Sequence, residues 1–209
     1  MSYTPPFTIT ERISTLCIEI AEMVGRLAPD SSLSTDPVLH RKLQISSIHS
    51  SLAIEQNSLT EEQVAAILGG KRVLGPADDI REVENADRAY GMIDGLNPYS
   101  LADLLRAHGT MMAGLREDAG RFRSGNVGVY QGAKLIHAGT PAVYVPEVMA
   151  DLFDWLRRTD VHPLIASCVF HYEFEFIHPF ADTNEIISTS RKHNMTQFAT
   201  VYWRFGLAA

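Results

Sequence analysis

The sequence of 209 residues has few cysteines and no long apolar run. Its two cysteines, Cys17 and Cys168, lie far apart, which argues against a secreted disulfide scaffold and against a cysteine-built metal cluster. The sequence contains no run of 18 apolar residues, so no transmembrane helix is expected. The N-terminal stretch MSYTPPFTITERI lacks a charged segment followed by an apolar one, so no secretory leader is expected. We therefore expect a cytoplasmic protein without a membrane partner.

Basic residues are outnumbered, with 18 Lys and Arg against 25 Asp and Glu, which gives a net charge of −7 when His is neutral. A general nucleic-acid binder usually has a basic face, so no nucleic-acid partner is expected. Hydrophobic residues make up 45% of the chain, which excludes a disordered protein. The length suits one domain with a buried core.

Most of the chain has the hydrophobic spacing of α-helices, with apolar residues three or four positions apart. Pairs such as Thr8 with Glu11 and Thr60 with Gln63 have the pattern of a capping box at a helix start. Asp36 before Pro37 and Ser100 before Asp103 predict two further starts. The predicted helices cover 8–28, 37–56, 61–68, 77–94, about 100–116, a segment around 148–156, and 164–177.

A glycine-punctuated stretch interrupts the helical pattern between residues 120 and 145. Five glycines separate β-branched and aromatic residues, which are typical of strands. The pattern predicts a loop with a short β-hairpin at about 127–143. The expected fold class is therefore all-α with one hairpin.

The stretch Val169–Asn184 reads VFHYEFEFIHPFADTN, an apolar helix followed by a His-Pro-Phe sequence. It resembles the Fic (filamentation-induced-by-cAMP) family, whose signature is H-P-F-x-[DE]-G-N-G-R-x-x-R. The matching positions are His178, Pro179, Phe180, Asp182 and Asn184. Upstream, the sequence GRFR at 120–123 is similar to the family's G-x-[YF]-R, and His108 lies on the helix before it.

A second stretch, SLAIEQN at 51–57, resembles the inhibitory helix [ST]-x-x-x-E-[GN] of the same family. It precedes the catalytic motif, as in the class whose inhibitor is built into the chain ahead of the core. The resemblance runs from about Val38 to Asn184. It implies a Fic-type helical core with a hairpin flap, divided into an N-terminal helix and loop (1–36), an inhibitory region (37–58) and the core (59–209).

The resemblance implies transfer of AMP from ATP to a hydroxyl of a target protein. His178 would be the general base, which suits a side chain that titrates near neutral pH. Asp182 would hold Mg²⁺ through oxygen. The target segment would bind at the flap by strand addition, and self-modification and a homo-oligomer stay open. The other implied site residues are Phe180, Thr183 and Asn184 for ATP, and Ser51, Glu55 and Asn57 for inhibition.

The segment 183–209 departs from the family pattern, through divergence or an altered 3′ coding end. The family's two glycines are Thr183 and Glu185 here, and its two arginines are Ile186 and Thr189. Glu185 places a carboxylate where the resemblance implies phosphates. At ~4 Å and an effective dielectric constant of ~20, that carboxylate and a phosphate charge repel by roughly 4 kcal/mol. Two alternatives follow: a non-catalytic Fic-fold interaction module, or a Fic enzyme that uses another donor or removes AMP.

Overall fold

The structure, a computed structural model, describes residues 3–27, 36–54, 56–131 and 134–181. These ranges are mostly helical, which confirms the predicted fold class. The helices are α1 (Glu11–Leu27), α2 (Pro37–Ile54), α3 (Glu61–Leu68), α4 (Ala77–Gly91), α5 (Leu101–Met111), α6 (Val145–Arg158) and α7 (Pro163–Ile177), with 3₁₀ turns at Ile93–Gly95 and Ala142–Tyr144. The strands are β1 (Gly128–Gln131) and β2 (Lys134–Ala138).

The helix α3 begins with the capping box that the sequence predicts. The Thr60 hydroxyl accepts from the Gln63 N–H at 3.3 Å, and the Gln63 side chain accepts from the Thr60 N–H at 2.9 Å. These two bonds satisfy main-chain donors that have no partner inside the helix. The predicted cap Asp36 likewise accepts from the Val38 N–H at 2.8 Å.

The predicted cap of α1 is wrong by two residues, and the helix begins three residues later than predicted. Thr10, rather than Thr8, accepts from the Ile13 N–H at 3.3 Å, and the helix begins at Glu11. The segment before it packs on the core instead: the Phe7 ring contacts Trp155 edge-on at 6.2 Å between centroids. The contact joins the segment before α1 to α6.

The predicted length of α5 is also wrong, since the helix ends at Met111 and not near residue 116. Gly114 lies in the left-handed region at φ 70°, which the helix cannot include. The buried Asn85 amide donates to the carbonyls of Met111 at 2.7 Å and of Ala113 at 3.0 Å. A side chain from α4 thus replaces the next helical turn as the donor.

Two hydrophobic clusters form the core. The smaller joins α2, α3 and α4 through residues such as Ile48, Leu52 and Val83. The larger joins α5, α6 and α7, and Tyr90 of α4 packs against both. The almost wholly apolar sequence of α7 predicts a buried central helix, but one face of this helix is exposed and carries Tyr172 and Phe176.

The N-terminal residues lie along α7. The Tyr3 hydroxyl donates to the Glu173 carboxylate at 2.6 Å. Burial and the nearby Cys17 thiol raise the pKa of the Cys168 thiol. None of the helices in the described part of the chain combines the length and the apolar character needed to cross a bilayer.

The strands β1 and β2 pair antiparallel, with Gly128 opposite Ala138 and Gln131 opposite Lys134. Below them the Gly139 N–H donates to the Val127 carbonyl at 3.0 Å and closes the base of the hairpin. The hairpin ends earlier than the predicted boundary at residue 143. Its second strand ends at Ala138, and Val143 lies in the 3₁₀ turn that leads into α6.

Candidate functional site

The helix α7 ends at Ile177, and the chain then turns sharply at His178. The His178 backbone has φ 52° and ψ 65°, the left-handed conformation, and its N–H donates to the Phe174 carbonyl at 2.9 Å. That conformation costs a non-glycine residue about 1–2 kcal/mol, and such strain is found at functional sites. The side chain is only 4% exposed. We call residues 177–180 the catalytic turn, after the role that the sequence predicts for His178.

Phe180 fixes the far end of the catalytic turn in the core. Its side chain is 2% exposed and contacts three aromatic rings. It lies 5.7 Å from Phe122 and 6.0 Å from Phe174, measured between centroids, and stacks on His108. The structure holds Phe180 from α5 and α7 together, and its implied part in ATP binding stays a prediction.

His108 of α5 packs against Phe180, a role that the sequence did not reveal. Its Nδ1 accepts from the Gly120 N–H at 2.9 Å, so a neutral ring carries its proton on Nε2. Burial lowers the pKa of His108 to about 4, which keeps the ring neutral near pH 7. Gly120 has φ 78°, and an added Cβ would lie 3.1 Å from the Leu105 carbonyl oxygen, so this position requires glycine.

Arg123 is a buried cation, 3% exposed, that binds the main chain of the catalytic turn. Its Nε donates to the His178 carbonyl at 2.6 Å, and its Nη2 donates to the Ile177 carbonyl at 3.2 Å. Its own backbone N–H donates to the Pro179 carbonyl at 3.0 Å. Three successive carbonyls of the turn are thus held by one residue.

The same guanidinium reaches both ends of the hairpin. Its Nη1 donates to the Gly125 carbonyl at 2.7 Å, and its Nη2 donates to the Thr140 carbonyl. Burial lowers the pKa of Arg123, but a guanidinium stays protonated in proteins. Four carbonyl contacts of the guanidinium replace the water that the charge has lost.

Of the predicted inhibitory residues, Ser51 is half-buried in the last turn of α2 and Asn57 follows the end of that helix. Gln56 has φ 67° and is, with His178, one of the two non-glycine residues at positive φ in the described ranges. The Asn57 N–H donates to the Leu52 carbonyl at 3.1 Å, which closes the helix in the manner of a Schellman motif. Glycine or asparagine at position 56 would suit this turn better.

Asn57 connects the end of α2 to α4. Its amide donates to the Asp79 carbonyl at 3.1 Å and to the Glu82 carboxylate at 2.8 Å. Its Oδ1 accepts from the Leu59 N–H at 3.1 Å. These bonds fix the orientation of α2 relative to α4, so Asn57 has a structural role beside the one that the sequence suggests.

Four of the predicted site residues, Glu55, Asp182, Thr183 and Asn184, lie outside the described residues. Their roles in inhibition, Mg²⁺ binding and ATP binding stay predictions. Across the described ranges, no group of three or more His, Cys, Asp or Glu side chains is arranged to hold a metal ion. The structure brings together His178, Phe180, His108 and Arg123, and the first two of these were predicted as site residues.

The chain is similar to known proteins of one family. A model of the Fic/DOC family matches residues 98–189. A solved structure of a Fic family protein from Desulfovibrio desulfuricans G20 is 45% identical, covers 98% of this chain and superposes with a TM-score of 0.87. Among curated proteins, none matches the sequence significantly.

Two more distant structures share the fold. A Fic-domain-containing signalling protein from Bacteroides thetaiotaomicron VPI-5482 is 20% identical, with a TM-score of 0.67 over 85% of this chain and 69% of its own. Fic-1 from C. elegans is 21% identical, with a TM-score of 0.67 over 94% of this chain and 60% of its own. The chain spans 60% of the length of the Desulfovibrio relative.

Proposed function

Because the chain belongs to the Fic/DOC family, we propose that it is a protein adenylyltransferase that moves AMP from ATP to a hydroxyl of a target protein. The observation that carries this proposal is the geometry of His178. Its backbone is held in a strained left-handed turn by Arg123 on one side and by the buried Phe180 on the other. A catalytic base needs such a fixed position.

His178 would accept the proton of the target hydroxyl while the hydroxyl oxygen forms a bond to the α-phosphorus of ATP. The bond from that phosphorus to the bridging oxygen breaks, and pyrophosphate leaves. General-base help of this kind contributes about 10²–10⁴-fold to a rate. Since the imidazole is nearly covered in this structure, the site must open before a target hydroxyl reaches it.

Asp182, Thr183 and Asn184 would line the ATP site immediately after the catalytic turn. A carboxylate oxygen is a fitting ligand for Mg²⁺, and the bound ion would offset the charge of the triphosphate. The amide of Asn184 would shape the turn that faces the phosphates. The catalytic turn sets where this segment begins, because Ala181 follows the buried Phe180 directly.

The hairpin would bind a segment of the target protein along the free edge of a strand. Its base is fastened to the catalytic turn through Arg123, so a bound segment would lie at a set distance from His178. We further propose that Glu55 restrains the enzyme from the end of α2, with Asn57 holding that end in place.

The test is incubation with labelled ATP and Mg²⁺, alone and with a cell lysate. Wild-type protein should label itself or a lysate target, and Glu55→Gly should label more strongly. His178→Ala in the Glu55→Gly background is the matched control and should not label. An absence of label in both wild type and Glu55→Gly, with folding shown by circular dichroism, would reject the proposal.

A second candidate function is a non-catalytic Fic-fold interaction module. It is motivated by the four positions at which the family has two glycines and two arginines and this chain has Thr183, Glu185, Ile186 and Thr189. Calorimetric titration with ATP and Mg²⁺ separates the two functions. Clear micromolar binding contradicts the non-catalytic module, whereas an absence of binding together with an absence of labelling supports it.

A further inference from the structure

We propose that Arg123 is a positioning residue that couples the hairpin to the catalytic turn, so that a strained or loosened hairpin base also displaces His178. The proposal deepens the proposed function and rests on it for its kinetic part. Arg123 touches neither the reacting hydroxyl nor the phosphate in this account. It acts through the main chain of two segments that are 55 and 17 residues away along the sequence.

The shape of the guanidinium explains why an arginine occupies this position. Its donors lie in one plane and point in different directions, which allows it to bind several carbonyls at once. One edge faces the catalytic turn at Ile177 and His178, and the other atoms reach Gly125 and Thr140 at the hairpin base. A lysine ammonium at the same place could not span both groups of carbonyls.

The guanidinium of Arg123 contacts main-chain oxygens, so it couples the backbone positions of the two segments. The carbonyl of His178 belongs to the strained left-handed residue itself, and the 2.6 Å bond from Arg123 Nε fixes its direction. On the other side, the hairpin is closed by the bond from the Gly139 N–H to the Val127 carbonyl. A tilt of the hairpin base therefore moves the Gly125 and Thr140 carbonyls, and the guanidinium that binds them also binds the His178 carbonyl.

Gly139 shows how closely the two parts fit. An added Cβ there would lie 3.3 Å from Arg123 Nη2 and 2.9 Å from a methyl carbon of Val127. A methyl group at this position would push on the guanidinium from the hairpin side while every donor and the charge remain. Gly139→Ala therefore disturbs the same joint as Arg123→Lys, from the opposite direction and without loss of the arginine.

The first measurement is amide hydrogen exchange followed by NMR on the full chain, which needs no activity. In Arg123→Lys, the amides of both Gly139 and His178 should exchange at least about tenfold faster. In Gly139→Ala the His178 amide should also exchange faster. Arg121→Lys, a change at the exposed neighbouring arginine, should alter neither amide.

The second measurement is the rate of AMP transfer at saturating ATP. Misplacement of a base by about 1 Å can cost about a hundredfold, so Arg123→Lys should lose activity on that scale while its calorimetric dissociation constant for ATP with Mg²⁺ stays unchanged. Acceleration of exchange at Gly139 alone in both variants, or equal acceleration of all amides, would overturn the coupling. If neither wild type nor Glu55→Gly transfers AMP, the proposed function fails, and the exchange result still decides the coupling.

Discussion

The imidazole ring of His108 lies face to face with the phenyl ring of Phe180, with centroids 3.7 Å apart and planes inclined by 8°. This contact joins α5 to the catalytic turn. His108 also accepts a hydrogen bond from the Gly120 N–H, the first residue of the GRFR sequence that contains Arg123. One neutral ring therefore supports both the anchor of the turn and the loop that leads to its arginine.

The neutral state of His108 predicts a loss of stability in mild acid. Its folded pKa of about 4 lies below the ordinary 6.5, so the stabilisation is present above pH 6.5 and is lost as the pH falls towards 4. At pH 5 the loss should be about 2 kcal/mol. Urea unfolding at pH 7.5 and pH 5 measures it.

His108→Gln is the matched control for this titration, since glutamine has an acceptor oxygen but does not protonate. The variant should be less stable at pH 7.5 and should lose less stability than wild type on going to pH 5. An equal pH dependence in the two proteins would show that His108 contributes nothing to it.

The left-handed backbone at Gln56 predicts a stabilising substitution. Because glycine adopts φ 67° without the steric cost that a side chain adds, Gln56→Gly should raise the free energy of unfolding by about 1 kcal/mol. Gln56→Ala keeps a Cβ in the same conformation and should give no gain. Chemical denaturation of the three proteins checks the order, and a stabilising alanine with a neutral glycine would contradict it.

The hydrogen bonds of Asn57 predict that this side chain is structural as well as inhibitory. Asn57→Ala removes the bonds to the Asp79 carbonyl and from the Leu59 N–H, which should cost about 1–3 kcal/mol of unfolding free energy. If α2 restrains the enzyme, Asn57→Ala should also loosen this helix, and the variant should label more strongly with ATP. Unchanged stability together with unchanged labelling would remove Asn57 from both roles.

The proposed inhibitory role of Glu55 predicts that its substitution raises activity. Glu55→Gly should increase the initial rate of labelling by about tenfold or more, since a relief of about 1.4 kcal/mol is a factor of ten. Glu61→Gly, a glycine substitution in the exposed first turn of α3, is the control for a general loss of helix stability. An equal rise in both variants would point to loosening of the fold and not to release of an inhibitor.

The sequence predicted those features that depend on residues near one another in the chain. The capping box of Thr60 and Gln63 and the cap at Asp36 require side chains only two or three positions from their partners, and both are present. The apolar spacing that predicts helices has the same local origin. The helical class and the His-Pro-Phe motif could therefore be identified without coordinates.

Contacts between distant segments explain what the sequence left out. The end of α5 depends on Asn85, 26 residues before Met111, and the anchor at Phe7 depends on Trp155 of α6. Arg123 was identified by its motif, but its five carbonyl partners carry no side-chain signal that a sequence could display. The left-handed conformation of His178 is likewise set by its surroundings, because nothing in a histidine favours it.

The most direct test of the account is the intact mass of Glu55→Gly after incubation with ATP and Mg²⁺, alone and with candidate target proteins from a lysate. The account predicts a mass increase of one AMP on the protein or a target, carried by a Ser, Thr or Tyr hydroxyl, and none when His178→Ala is added. A folded Glu55→Gly protein that produces no such adduct, or an adduct that persists at the same rate in the double variant, would contradict it.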